Sequence, residues 1–268
     1  MRRIPIGGMG FDPLTGAEVA VRVRRSLDRG VGGWIVTPNV DIVRQVIADP
    51  AQRSALAGAD LVVADGAPLI WASRLAGTPL PERVAGADLI WTLAAALAAD
   101  RRSIFVLGGD PASPGRTSGA HRAAAALAFS CPGVRVAGHA SPRYGFDAHP
   151  GELAAVCADV IEARPDLVYV GLGFPRQERL ILRMRADLPG AWFLGCGAAV
   201  SFAAGDRVRA ADWLGRAGLE WLHRLAHEPR RLAGRYLRDD LPQAVRLLGS
   251  AVAARRRHRR WRAPALRD

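Results

Sequence analysis

The chain has no lysine. All 37 of its basic residues are arginine, against 25 acidic residues, for a net charge of +12 over 268 residues. Codon usage in a GC-rich genome explains an arginine-only set more simply than selection for bidentate phosphate contacts. Cysteine is scarce. Cys131, Cys157 and Cys196 show neither CxxC nor another metal spacing, which argues against a disulfide framework and for a reducing compartment. Long apolar runs are missing too. The longest, Leu89 to Ala99 with one threonine, is too short to span a bilayer. The opening segment MRRIPIGGMGFDP lacks the apolar stretch of a secretory signal. These absences predict a cytoplasmic protein that meets a membrane only at its surface. There is no HExxH or other histidine ligand spacing, so no metal is expected. There is also no helix-turn-helix, RNP or zinc-finger pattern, so no nucleic acid is expected, although the tail RRRHRRWR (255–262) would attract any polyanion.

The charge that is present is unevenly placed. Residues 203–268 hold 16 arginines and 7 acids, a balance of +9, and residues 1–202 hold 21 and 18, a balance of +3. Half of the residues are hydrophobic, enough for a sizeable core. Six short apolar runs end in glycine or polar residues: 33–39, 60–66, 103–109, 134–140, 167–173 and 191–197. Helical patterns such as DIVRQVIADP, LIWTLAAALAAD and ELAAVCADVIEARP lie between them. Strands alternating with helices at these lengths predict an α/β fold, a Rossmann-like parallel sheet with helices on both faces. We read 1–202 as the core, its halves dividing near residue 100. Residues 203–268 read as a helical, arginine-rich C-terminal appendage.

Ligands of such sheets sit outside the carboxyl ends of the strands. Those ends carry Thr37 and Asn39, Asp65, Gly108-Gly109, His139, Gly171 to Gln177, and Gly195-Cys196-Gly197. Thr37 and Asn39 can hydrogen-bond a sugar or phosphate, or simply cap the next helix. Asp65 follows a buried run and precedes Gly66. It suits a general base, a partly buried carboxylate of raised pKa, or a turn aspartate capping a helix. Arg83 can oppose a phosphate or Asp65, or remain solvated. The loop from Gly171 through Gly173 and Arg176 opens a helix whose amides can hold a diphosphate. Gly195-Cys196-Gly197 is half of a dinucleotide fingerprint, without the GxGxxG spacing or the later acid, and Cys196 reads as a small strand residue. Leu222, Leu225, Pro229, Leu232 and Tyr236 fall on one helical face among Arg224, Arg230, Arg231, Arg235 and Arg238. That face suits an anionic membrane surface, a phosphate-bearing substrate, or packing on the core.

Taken in order, these segments resemble the WecG/TagA/CpsF glycosyltransferases, glycosyltransferase family 26. The resemblance rests on TPN followed by Asp (37–41), ADGAPLIWASRLAGTPLPERVAGADL (64–89), FVLGG (105–109), YGF (144–146), PDLVYVGLGFPRQE (165–178), GCGAAVSFAAGDRVRAA (195–211) and GLEWLHRLAHEPRRL (218–232). It implies an inverting transferase, working without a bound metal or other cofactor. Such an enzyme sits peripherally at the inner face of the cell membrane. It moves N-acetylmannosamine or another hexose from a UDP-sugar to a polyprenyl-diphosphate-linked saccharide, for a surface polysaccharide or teichoic-acid-type polymer. Whether it forms a homo-oligomer is left open. Carried over, Asp65 becomes the base, with Thr37 beside it. Thr37 and Asn39 hold sugar, Arg83 and Gln177 line the pocket, and Arg224, Arg231 and Arg235 stabilise the departing diphosphate. Gly108, Gly171 and Gly173 complete the substrate-binding set. Ser201 stands where the family usually has Asp, Ala211 where it has Pro, and the loop after Gly109 is longer and more polar, so the donor sugar stays open. A nucleotide-dependent oxidoreductase and a non-catalytic basic membrane- or polyanion-binding protein are the two alternatives.

Overall fold

A computed structural model describes residues 2–207, 225 and 234–262. Six strands form one parallel sheet. They are labelled, after a short hairpin of β1 (Ile4–Ile6) and β2 (Met9–Phe11), as β3 (Gly33–Val36), β4 (Leu61–Val62), β5 (Ser103–Gly108), β6 (Arg135–Ala140), β7 (Leu167–Gly171) and β8 (Trp192–Gly195). The spatial order is β4-β3-β8-β7-β5-β6, and every pairing is parallel. All six runs anticipated from the sequence are strands of this sheet. The β1–β2 hairpin was not anticipated, because three-residue strands are too short to show an alternation.

The helices are α1 (Gly16–Leu27), α2 (Val40–Ala48), α3 (Pro50–Ala57), α4 (Ala67–Ala76), α5 (Gly86–Ala98), α6 (Gly119–Ser130), α7 (Pro150–Ala163), α8 (Arg176–Met184) and α9 (Ala199–Ala203). Local chemistry starts several of them. Thr15 and Glu18 form a reciprocal capping box on α1, Asp49 caps α3 ahead of Pro50, and Ser118 caps α6. Each satisfies amides that a helix start leaves without a partner.

Two apolar clusters cover the two faces of the sheet. One contains Trp34, Val36, Phe105, Val168, Val170 and Phe193; the other contains Ile35, Ile104, Val106, Leu167, Tyr169 and Leu194. Consecutive strand residues therefore point to opposite faces, both dry except along the largely exposed edge strand β6, as the interior of a parallel sheet requires. Tyr169 is fully buried, and its hydroxyl donates to the Ile90 carbonyl at 2.9 Å, so its burial leaves no polar atom unpaired. The edge strand β4 spans only two residues because Asp12 takes over its outer side. The Asp12 amide donates to the Val62 carbonyl at 2.7 Å, and the Asp12 carboxylate accepts from the Val62 amide at 2.8 Å. A covered edge cannot recruit a foreign strand.

At the other end of the chain a π-helical turn, Arg235–Asp240, leads into α10 (Leu241–Arg262). Leu247 and Ala251 are buried in the same cluster as Trp34, and α10 lies against α4 and α2. Ala244, Leu247, Leu248, Ala251 and Ala254, all at least half-buried, make a stripe at helical spacing. No helix among the described residues is long and apolar enough to cross a membrane. Most of the stripe expected over residues 222–236 lies outside the described residues.

Candidate active site

The carboxyl ends of β3, β4, β7 and β8 and the start of α5 come together on one edge of the sheet. Asn39 follows β3 and caps α2, its side-chain oxygen accepting the Ile42 amide at 3.0 Å. Its carboxamide nitrogen is not part of that cap, so capping and ligand contact are compatible uses of one side chain. Thr37 is buried. A β-carbon built on Gly86 would fall 3.3 Å from both the Thr37 hydroxyl and the Cys196 α-carbon. The ends of β3 and β8 and the first residue of α5 thus close on one another, and a side chain at residue 86 would have to push its neighbours aside.

Asp65 stands at the end of the β4 segment, its amide donating to the Pro38 carbonyl at 2.9 Å. Gly66 opens α4 with no side-chain cap, so the positive end of that helix lies beside the carboxylate. Arg83 approaches from the segment joining α4 to α5, where the Val84 amide donates to the Ala64 carbonyl at 2.9 Å. One guanidinium nitrogen lies 3.5 Å from Asp65, and the other lies 3.7 Å from Asp88 in the first turn of α5. Asp65 and Arg83 are both partly exposed. The two residues joined by the sequence reading are therefore an ion pair. The reading missed Asp88, which shares the arginine; its only signal was a place five residues beyond Arg83, one turn into a helix.

Gln177 is 3% exposed and ties two strand ends together. Its side-chain oxygen accepts the amides of Gly173 after β7 and Gly197 after β8, at 3.1 and 3.0 Å. Its nitrogen donates to Glu178 at 2.9 Å. Burial pushes the Glu178 carboxyl up to about 7, against the opposing effects of its Gln177 hydrogen bond and its own backbone. Burial likewise pushes the Cys196 thiol up to about 12, so Cys196 is held as a neutral thiol. Arg176, one residue before Gln177, is paired with Asp147 at 2.8 Å.

Gly108 and Gly171 are a matched pair at the ends of β5 and β7. A β-carbon at Gly108 (φ +121°) would lie 2.4 Å from the Gly171 carbonyl oxygen. These glycines let two strand ends approach more closely than side chains permit. Beyond β5, Arg116 and Arg122 both donate to Asp206, whose side chain is 3% exposed. This anchors the long loop after Gly109 to the segment beyond α9. The Ser141 hydroxyl donates to the Gly108 carbonyl at 2.6 Å and accepts the Ala120 amide at 2.9 Å, and the Tyr144 hydroxyl donates to Asp110 at 2.8 Å. His121 and His139 meet nitrogen to nitrogen at 3.1 Å. Among the described residues, no three histidine, cysteine, aspartate or glutamate side chains converge as a metal-holding group. Arg224 and Arg231 lie outside the described residues. Arg235 begins the π-helical turn, with nothing described of its side chain.

Chemically, the arrangement offers a carboxylate paired with a partly exposed cation, a buried hydroxyl, and clamped backbone amides along the carboxyl ends of one sheet. The chain is 29% identical to an N-acetylglucosaminyldiphosphoundecaprenol N-acetyl-beta-D-mannosaminyltransferase of Bacillus spizizenii over 205 residues, 76% of this chain and 75% of that protein. It is 27% identical to the protein of the same name in Bacillus subtilis, with the same coverage, and 24% identical to one in Staphylococcus aureus, over 86% of this chain and 87% of that one. The sequence profile described as the glycosyl transferase WecG/TagA/CpsF family matches residues 4–258, and with that match, spanning the whole parallel sheet and most of α10, the chain belongs to the WecG/TagA/CpsF family of glycosyltransferases.

Proposed function

We propose that this glycosyltransferase moves a hexose from a UDP-sugar to a polyprenyl-diphosphate-linked saccharide, with inversion at the anomeric carbon. The acceptor class is suggested by the names of the relatives, which act on a GlcNAc-diphosphoundecaprenol. The observation that carries the reading is the Asp65–Arg83 pair at 3.5 Å, set at a strand end beside Thr37 and Asn39.

The proposed step is a single displacement. The acceptor hydroxyl oxygen attacks the anomeric carbon, the bond from that carbon to the diphosphate oxygen breaks, UDP departs with the electron pair, and the hydroxyl proton passes to Asp65. A bound diphosphate competes with Asp65 for Arg83. Withdrawal of the guanidinium makes the carboxylate a better base, so donor binding itself arms the site. Thr37 and Asn39 orient the sugar, and Gln177 keeps the amides of Gly173 and Gly197 in place at the rim. Gly108 and Gly171 bring the strand ends close enough for their backbone to line the pocket. Arg224, Arg231 and Arg235 are assigned to the departing UDP, where fixed positive charge offsets the charge developing on the diphosphate.

Membrane-surface work is supported by side chains on the neighbouring helices α4 and α10. Trp71 and Leu75 on α4 and Leu241, Val245 and Val252 on α10 are exposed apolar residues, and Arg246, Arg255 and Arg256 are exposed on α10. Apolar side chains with arginines suit an anionic bilayer surface, and this supports a peripheral position at the inner face of the cell membrane.

The test is UDP release from a panel of UDP-sugars, with a short-chain polyprenyl-diphosphate-GlcNAc acceptor in detergent. Acceptor-dependent release with one donor, reduced on the order of 100-fold or more by Asp65→Asn, is the expected result. Unchanged release by that variant would remove Asp65 as the base. UDP binding without turnover of any donor would point to a different acceptor.

A further inference from the structure

Glu178 lies in the first turn of α8, beneath the strand ends, and is 1% exposed. One carboxylate oxygen accepts the Gln177 amide hydrogen at 2.9 Å. The other is buried with no hydrogen-bond partner. An acid in such a place is costly to the fold; a leucine of similar volume would avoid the desolvation.

The geometry around Gln177 gives the acid a use. The Gln177 side-chain oxygen accepts two backbone amides, Gly173 and Gly197, from the loops after β7 and β8. Its nitrogen points the other way, to Glu178. The groups form a continuous chain: two loop amides, one carboxamide, one carboxylate. When an amide N–H is drawn toward an anion, electron density shifts to the amide oxygen, and bonds accepted there strengthen. A charge on Glu178 therefore tightens both loop contacts, and a proton on Glu178 loosens them.

We infer that Glu178 is a positioning residue of the transfer site, its carboxylate acting through the Gln177 amide to hold the Gly173 and Gly197 backbone N–H groups at the rim. The inference rests on the glycosyltransferase reading of that rim. A β-carbon on Gly195 would lie 2.7 Å from the Gln177 nitrogen and 3.1 Å from Glu178, so β8 passes directly over the pair. Among the groups that act on Glu178, burial raises its pKa, while Gln177 and its own backbone lower it. From β8, the titratable group in electrostatic contact is the Cys196 thiol, itself kept neutral by burial. Glu178 thus changes charge close to pH 7, and the rim tightens as the pH rises through that value.

The test follows the Gly173 and Gly197 amide resonances of the full chain by 15N–1H spectroscopy between pH 5.5 and 8.5. In the native protein both are expected to move with one shared midpoint near 7; in Glu178→Gln, which keeps an acceptor and the shape but cannot ionise, both stay still. Labelling the glutamate side-chain carboxyl carbons checks the native protein alone, should the variant not fold: one resonance must titrate with the same midpoint. Amides that do not titrate, or that titrate identically in Glu178→Gln, overturn the inference. UDP release is measured in parallel, and a 10- to 100-fold fall in kcat above pH 7.5 with little change in KM is expected of the variant. Native activity with an unchanged variant profile sinks the inference and leaves the transferase reading standing. Titrating amides in a protein that turns over no UDP-sugar leave the coupling standing and sink the proposed transfer from a UDP-sugar to that acceptor.

Discussion

Asp65, Arg83 and Asp88 form a line of alternating charge in which one guanidinium serves two carboxylates, at 3.5 and 3.7 Å. Both contacts are longer than a hydrogen-bonded pair, and the groups are partly exposed, so the pairing contributes little to stability. Arg83→Ala is therefore expected to change the unfolding free energy by less than about 1 kcal/mol, while weakening UDP binding in calorimetry. A large stability loss with unchanged binding would make Arg83 a structural residue. Glu178 is the opposite case. Its carboxyl is raised from 4.5 to about 7 in the fold, so the native state holds more protons than the unfolded chain between those two values. Stability from this group is complete below pH 4.5 and is lost as the pH rises through about 7. The difference is on the order of 3 kcal/mol. Urea unfolding should show native protein losing stability from pH 4.5 to 8 relative to Glu178→Gln, and parallel pH profiles would refute the burial argument. Asp65 and Arg83 were legible as residues because a carboxylate at the end of an apolar run and an arginine after Leu-Pro-Glu are local patterns. Glu178 was not, since its sequence context is an ordinary helix start. Only the tertiary structure removes its water.

At the scale of elements, the strand ends of β5 and β7 meet through Gly108 and Gly171. Gly108→Ala places a methyl 2.4 Å from a backbone carbonyl oxygen at φ +121°. A backbone atom cannot rotate away, so a destabilisation of roughly 2–4 kcal/mol is expected by thermal or urea unfolding. A neutral result would show that the two strand ends are free to separate. The helix α10 rests on Leu247 and Ala251. Leu247→Ala should cost about 2–4 kcal/mol if α10 unfolds with the core. If α10 instead opens alone, hydrogen exchange will accelerate in residues 241–256 and leave β5 and β7 protected. Strand and helix identities were readable because the apolar runs and helical periodicities are strong and local. The β1–β2 hairpin was not, because its three-residue strands are too short to show an alternation, and neither was the shortness of β4, which depends on Arg3 and Asp12. Asp12 closes the edge of β4, and Arg3 pairs with Asp12 at 3.1 Å.

Over the whole molecule, charge is the dominant asymmetry: +9 of the +12 lies in residues 203–268. With exposed apolar residues on α4 and α10, this predicts salt-sensitive binding to vesicles containing anionic lipid and little binding to neutral ones. Deletion of residues 241–268 should abolish co-sedimentation with anionic vesicles, and retained binding would move the membrane contact elsewhere.

By itself the sequence determined the order of strands and helices, the parallel sheet with helices on its faces, the acid and arginine that pair beyond β4, and the family. All of these are written in short stretches, where periodicity, glycine placement and motif chemistry act within a few residues. The tertiary structure alone decided that β8, the last strand among the described residues, inserts between β3 and β7. That placement brings Cys196 and Gly197 beside Thr37, Gly86 and Gln177, and it buries Glu178. Strand order in a parallel sheet is set by how both faces pack against the helices, an interaction between residues far apart in sequence. No local pattern encodes it, and so the clamp around Gln177 became visible only in the folded chain.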